Sequence, residues 1–237
     1  MPSHHASRSA ATPSSPVDAA VAKVADLLEK PRLRGWIHLV MTPLALAAGI
    51  VLIALAPTTG TRWASAVFAL TGVLLFGTSA VYHRGTWSPR TRLLLKRLDH
   101  SNISLVIAGT YTPIAVTLLS PEHGALLLWV IWPLAVAGVA FRVLWTHAPR
   151  WLYVPIYVLL GLVSVLYLGE FWTVSPPVTI LIGVGGLAYI AGAVFYGIKR
   201  PNFSPTWFGF HELFHALTVV GFTCHFVGIM MAVLAAR

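Results

Sequence analysis

His211 and His215 lie four residues apart inside a long apolar run near the end of the chain. On a helix, positions i and i+4 share one face, about 6 Å apart, so the two imidazoles can grip a single metal ion. Left unpaired in lipid, they would be costly to bury. Ser79 and His83 repeat the spacing at the end of another apolar run, which sets a hydroxyl beside a third imidazole. Three histidines and a water match catalytic zinc, which keeps one coordination position open. Asp99, at the start of a third run, would orient or deprotonate that water, and Ser79 would hydrogen-bond it or a developing oxyanion. Taken alone, a helix-end histidine such as His83 is more often a hydrogen-bonded interfacial residue than a ligand, so its role depends on the other two.

The segment His211-Glu212-Leu213-Phe214-His215 also fits H-E-x-x-H, in which the glutamate of a zinc protease is the general base. An intramembrane metalloprotease would need a further acidic ligand downstream, and no Asp or Glu follows Glu212. That reading ranks second, since Glu212 could as well pair with a base on the same side of the membrane. His225 lies ten residues beyond His215, roughly 15 Å along a helix, and is expected outside the ligand set. His38 and His100, on the same side of the membrane, could support the ligands from behind, though hydrogen-bonded packing histidines are the leading expectation.

Elements must hold these residues together, and composition says which. Of 237 residues, 57% are hydrophobic and 10% charged, where a soluble domain carries about 25% charged. An ordinary soluble protein is excluded. Seven apolar runs, at 36–56, 63–83, 99–119, 125–145, 152–170, 178–198 and 208–234, each approach the ~20 residues a membrane span needs. The prolines within them, Pro43, Pro113, Pro133 and Pro155, are tolerated in membrane helices. The expected fold is all-α, a seven-transmembrane helix bundle over 35–237. Residues 1–34 form a separate tail, disordered at first, then a short amphipathic helix from Pro16 to Leu28 on the membrane surface, then the basic Lys30, Arg32 and Arg34. A long polar tail before the first of many apolar runs argues against a cleaved signal peptide.

The net charge of +9 does not indicate nucleic acid, because the cations fall between apolar runs instead of forming one patch interleaved with aromatics. With seven spans, fourteen of the 16 lysines and arginines share the face of the N-terminus, and only Arg62 and Arg237 lie on the other. Positive residues stay inside, so the N-terminus is expected in the cytoplasm, the C-terminus outside, and the basic loops against the anionic inner leaflet of the cell's plasma membrane. His83, Asp99, His211 and His215 then share the cytoplasmic leaflet. A single cysteine, Cys224, permits no intramolecular disulfide.

Ser79-x-x-x-His83, Leu98-Asp99-His100-Ser101, and His211-x-x-x-His215 followed by His225-Phe226, in this order and topology, resemble the haemolysin III branch of the progestin and adipoQ receptor family. The resemblance covers roughly residues 35–235. It implies a seven-helix bundle with a cytoplasmic N-terminus, zinc held by His83, His211 and His215, and Ser79 and Asp99 at its water. Relatives in the wider superfamily are lipid-amide hydrolases of the ceramidase type, eukaryotic members are receptors, and bacterial members carry a haemolysin label and a link to membrane homeostasis. Family members often carry a Glu and an Asn ahead of the first span's histidine. Here that stretch reads Pro31-Arg32-Leu33-Arg34-Gly35-Trp36-Ile37-His38, and it is expected not to touch the ligands.

The leading expectation is therefore a zinc-dependent membrane hydrolase of lipid amides or esters, its partners membrane lipids. A receptor or homeostasis sensor with a structural zinc is the alternative. A pore-forming cytolysin ranks lower, since the outer halves of the spans are nearly devoid of charge.

Overall fold

A computed structural model describes residues 15–17, 31–204 and 206–236. Residues 1–14 and 18–30 of the tail, and with them the amphipathic helix expected from Pro16 to Leu28 beyond Val17, lie outside the described residues. Among the described residues, seven helices are long and apolar enough to cross a membrane: span one Trp36–Leu55, two Thr59–Arg84, three Pro89–Leu118, four Pro121–Leu144, five Arg150–Val174, six Pro176–Ile198 and seven Phe210–Ala235. The chain is a multi-pass membrane protein.

Polar punctuation separates the spans. Serine followed by proline opens three, four and six, because serine at the cap can accept a free helix N–H and proline at the first turn has none to lose. The Ser88 and Ser120 hydroxyls accept from Thr91 N and His123 N, and Thr58 and Thr61 cap span two reciprocally. Span six stops at Lys199, which takes the left-handed conformation at φ 58°.

Two boundaries differ from expectation. Span three starts ten residues earlier than its apolar run, so Asp99 sits in its interior instead of opening it. The added turns carry Arg90, Arg92, Lys96 and Arg97, polar enough to read as loop while the Ser88-Pro89 cap folds them as helix. Span five is broken: Arg150–Leu162 passes through a 3-10 turn, Val163–Tyr167, into a short helix, Leu168–Val174.

Consecutive helices pack in pairs from one to four, six packs on seven, and seven closes back onto one. Span three is the centre, touching two, four, five and seven, with 67% of its apolar window buried against 17% for span five. One core joins spans one, two, three, six and seven with Phe171 of span five, and in it Phe222 is stacked on Phe68 at 5.0 Å and edge-on to Phe76 at 5.0 Å.

Candidate metal centre

His83 is in the last turn of span two and His211 in the first turn of span seven, and chain alternation puts both at one end of the bundle. Their Nε2 atoms face each other at 3.2 Å. His215, one turn further and buried, brings its ring centroid to 4.6 Å from His211 and 5.2 Å from His83. One nitrogen from each ring lies within 4.8 Å of the others.

This donor set fits zinc. Two nitrogens at ~2.05 Å from a tetrahedral ion stand about 3.3 Å apart, close to the observed 3.2 Å between His83 and His211. The widest spacing in the trio is at most 4.8 Å. Three soft-edged neutral nitrogens with no carboxylate among them suit zinc or a similar late transition metal better than magnesium or calcium.

The stretch before span one was expected to stay clear of the ligands, and the structure corrects this. Gly35 holds φ +81°, and a Cβ there would stand 2.8 Å from the His83 Cβ, so the backbone can approach the ligand only through glycine. Arg34 Nε pairs with Glu212 Oε1, and the other oxygen of Glu212 accepts the Gly209 N–H at 2.8 Å. Glu212 is 1% exposed and capped from both sides, as the alternative of pairing with a base required. Both of its carboxylate oxygens are thereby engaged by Arg34 and the Gly209 N–H.

His38 is also more than a hydrogen-bonded packing residue. Its ring stacks on His215 at 3.8 Å with planes 10° apart, and Phe76 meets it edge-on at 5.0 Å. Neither of its ring nitrogens has a hydrogen-bond partner. The stack fixes the plane of the ligand. His100 matches the expectation, donating Nδ1 to the Lys96 carbonyl at 2.8 Å, with Asp99 Oδ2 3.5 Å from the same nitrogen.

Ser79 and Asp99 reach the centre through a cavity of about 350 Å³ that His38, His211 and His215 also line. The buried Ser79 hydroxyl lies beside the Asp99 carboxyl, short of hydrogen-bond geometry. The cavity continues among apolar side chains of spans three, five and six to His225, whose Nε2 bonds the Ile182 carbonyl at 3.1 Å, well away from the triad. Its lining includes the exposed Gly161 and Leu162 of span five and Gly183 and Leu187 of span six.

Sequence spacing found the triad and both flanking groups. It missed Gly35 and the His38 stack. A histidine in an otherwise uniformly apolar span was the signal available for His38, and nothing local marked Gly35.

A model of the family described as haemolysin-III related matches residues 27–226. A hemolysin-3 homolog of Bacillus subtilis is 29% identical over 182 residues, covering 75% of this chain and 82% of the relative. Hemolysin-3 of Bacillus cereus is 29% identical over 195 residues, covering 81% and 86%.

Proposed function

The chain belongs to the haemolysin-III related family, and from that premise and the histidine cluster we propose that it is a zinc-dependent membrane hydrolase of acyl lipids, cleaving an amide or ester. The observation that carries the reading is one cavity whose polar end holds His211, His215, Ser79 and Asp99 and whose remainder is largely apolar, lined in part by exposed residues of spans five and six. A purely structural staple would need no such chamber beside it. The N-terminus is cytoplasmic by the excess of cations at the end that holds the centre, which puts the site in the inner leaflet of the plasma membrane.

His83, His211 and His215 would hold the metal. When bound, zinc supplies Lewis acidity, polarising a carbonyl and lowering the pKa of water toward ~7. The acyl chain enters between spans five and six and lies along the apolar walls, which brings its carbonyl to the polar end. Asp99 takes the proton of the attacking water and returns it to the leaving amine or alkoxide as the acyl bond breaks. The Ser79 hydroxyl donates a hydrogen bond to the carbonyl oxygen as negative charge builds there. His38 keeps His215 in plane, and the Arg34–Glu212 pair locks the first turn of span seven.

The test is release of fatty acid from a panel of lipid amides and esters by zinc-loaded protein. The hydrolase requires turnover in wild type that Asp99→Asn removes while bound zinc stays. Turnover absent across the panel, with zinc bound, would favour the receptor or sensor with a structural metal.

A further inference from the structure

A second chamber, of about 720 Å³, lies on the loop side of the histidines. Arg34, Arg92, Lys96, Arg142, Arg150 and Lys199 converge on it, and no Asp or Glu is among the described residues of its wall. Lys96 lies within Coulomb range of Arg142, Arg92 and Arg150. The tendency of cations to gather on the cytoplasmic face accounts for exposed residues such as Arg92 and Lys199. It does not account for Arg142, which is 1% exposed inside the bundle. That guanidinium stacks on Tyr153 at 4.3 Å, its bonds to the Trp145 and Thr146 carbonyls are long at 3.5 and 3.4 Å, and its Nε has no partner. A buried cation without a carboxylate is costly unless an anion joins it, and guanidinium suits a phosphate oxyanion through paired N–H donors.

The chamber shares His100, Tyr153, Tyr196 and His211 with the apolar cavity, so the two meet at the metal centre. One is lined mostly by apolar side chains of the spans. The other is basic and also borders the connection at 146–149.

We infer that the basic chamber is a binding site for a phosphate-type anion, and that this anion is the head of the amphiphile whose acyl chain fills the apolar cavity. The inference rests on the acyl-lipid reading above and narrows it: the substrate is an acyl lipid with an anionic head, its scissile bond at the histidines where the chambers join. Arg142 and Lys96 hold the head, and the triad lies between head and tail.

The whole protein in nanodiscs of phosphatidylcholine is titrated with a fluorescent lysophosphatidic acid and with the monoacylglycerol of the same chain. Lysophosphatidic acid binds about tenfold or more tightly than the neutral lipid, and the preference shrinks as salt rises. Arg142→Gln and Lys96→Gln each remove most of that preference while leaving monoacylglycerol binding unchanged. Lys96 is only partly buried, so its variant carries the test if Arg142→Gln does not fold. Inorganic phosphate that displaces lysophosphatidic acid shows a chamber that reads free phosphate too, and failure to displace assigns the site to the lipid head alone; both uphold the site. Equal affinity for the two lipids in wild type, or a preference untouched by both variants, overturns it. No turnover enters the measurement: preference without hydrolysis sinks the hydrolase and keeps the anion site, and hydrolysis without preference does the reverse.

Discussion

Gly35→Ala puts the account of the metal centre under strain at a residue that touches no metal. At φ +81° an alanine pays about 1–2 kcal/mol for the left-handed conformation alone. Its Cβ would also stand 2.8 Å from the His83 Cβ, where carbon atoms settle at about 3.5 Å or beyond. Relief requires a separation of about 0.7 Å between the strap before span one and the end of span two. Metal–ligand distances tolerate about 0.2 Å, and loss of groups that orient ligands typically costs 10- to 100-fold in metal affinity. Gly35→Ala is therefore expected to weaken zinc binding about 10- to 100-fold, measured by competition with a chromophoric chelator on purified protein. Gly161, with nothing within 4 Å of an added Cβ, provides the control, and Gly161→Ala should leave affinity unchanged. Wild-type zinc affinity in Gly35→Ala would refute the argument that this backbone approach positions His83.

Other substitutions probe neighbouring contacts. His38→Ala removes the stack on His215 and should cost about tenfold in zinc affinity, while His38→Phe, which keeps an aromatic face, should recover most of it in the same chelator competition. Glu212→Gln weakens the pairing with Arg34 and should lower the unfolding midpoint, by about 3 kcal/mol of stability if the pair is broken outright; zinc-dependent turnover should persist per folded molecule, whereas a protease using Glu212 as base would lose it. Ser79→Ala should lower kcat by about 100- to 1,000-fold with bound zinc unchanged, read from fatty-acid release and metal content together.

Much of this molecule is legible in its sequence because lipid imposes simple rules. Uniform apolar runs of spanning length gave six of the seven spans nearly to their ends, and the i, i+4 pairs at Ser79/His83 and His211/His215 exposed the donor set. The start of span three was hidden because four cations in its first turns mimic a loop, and the break in span five at Val163–Tyr167 falls in a mostly apolar run and itself holds Ser164 but no proline or charge to mark it. Contacts between distant positions were hidden for another reason. His38 on His215, Gly35 on His83 and Arg34 on Glu212 join residues far apart in the chain, and neither periodicity nor composition records which face of one helix another will meet. Arg142 reads as one more positive residue at a span end until its burial is seen.

The central claim is that His83, His211 and His215 together hold a zinc ion. Elemental mass spectrometry of the purified protein tests it most directly: about one zinc per chain in wild type, and essentially none in the double variant His211→Ala, His215→Ala that remains folded. Zinc absent from wild type after loading, or zinc undiminished in the folded double variant, would contradict it.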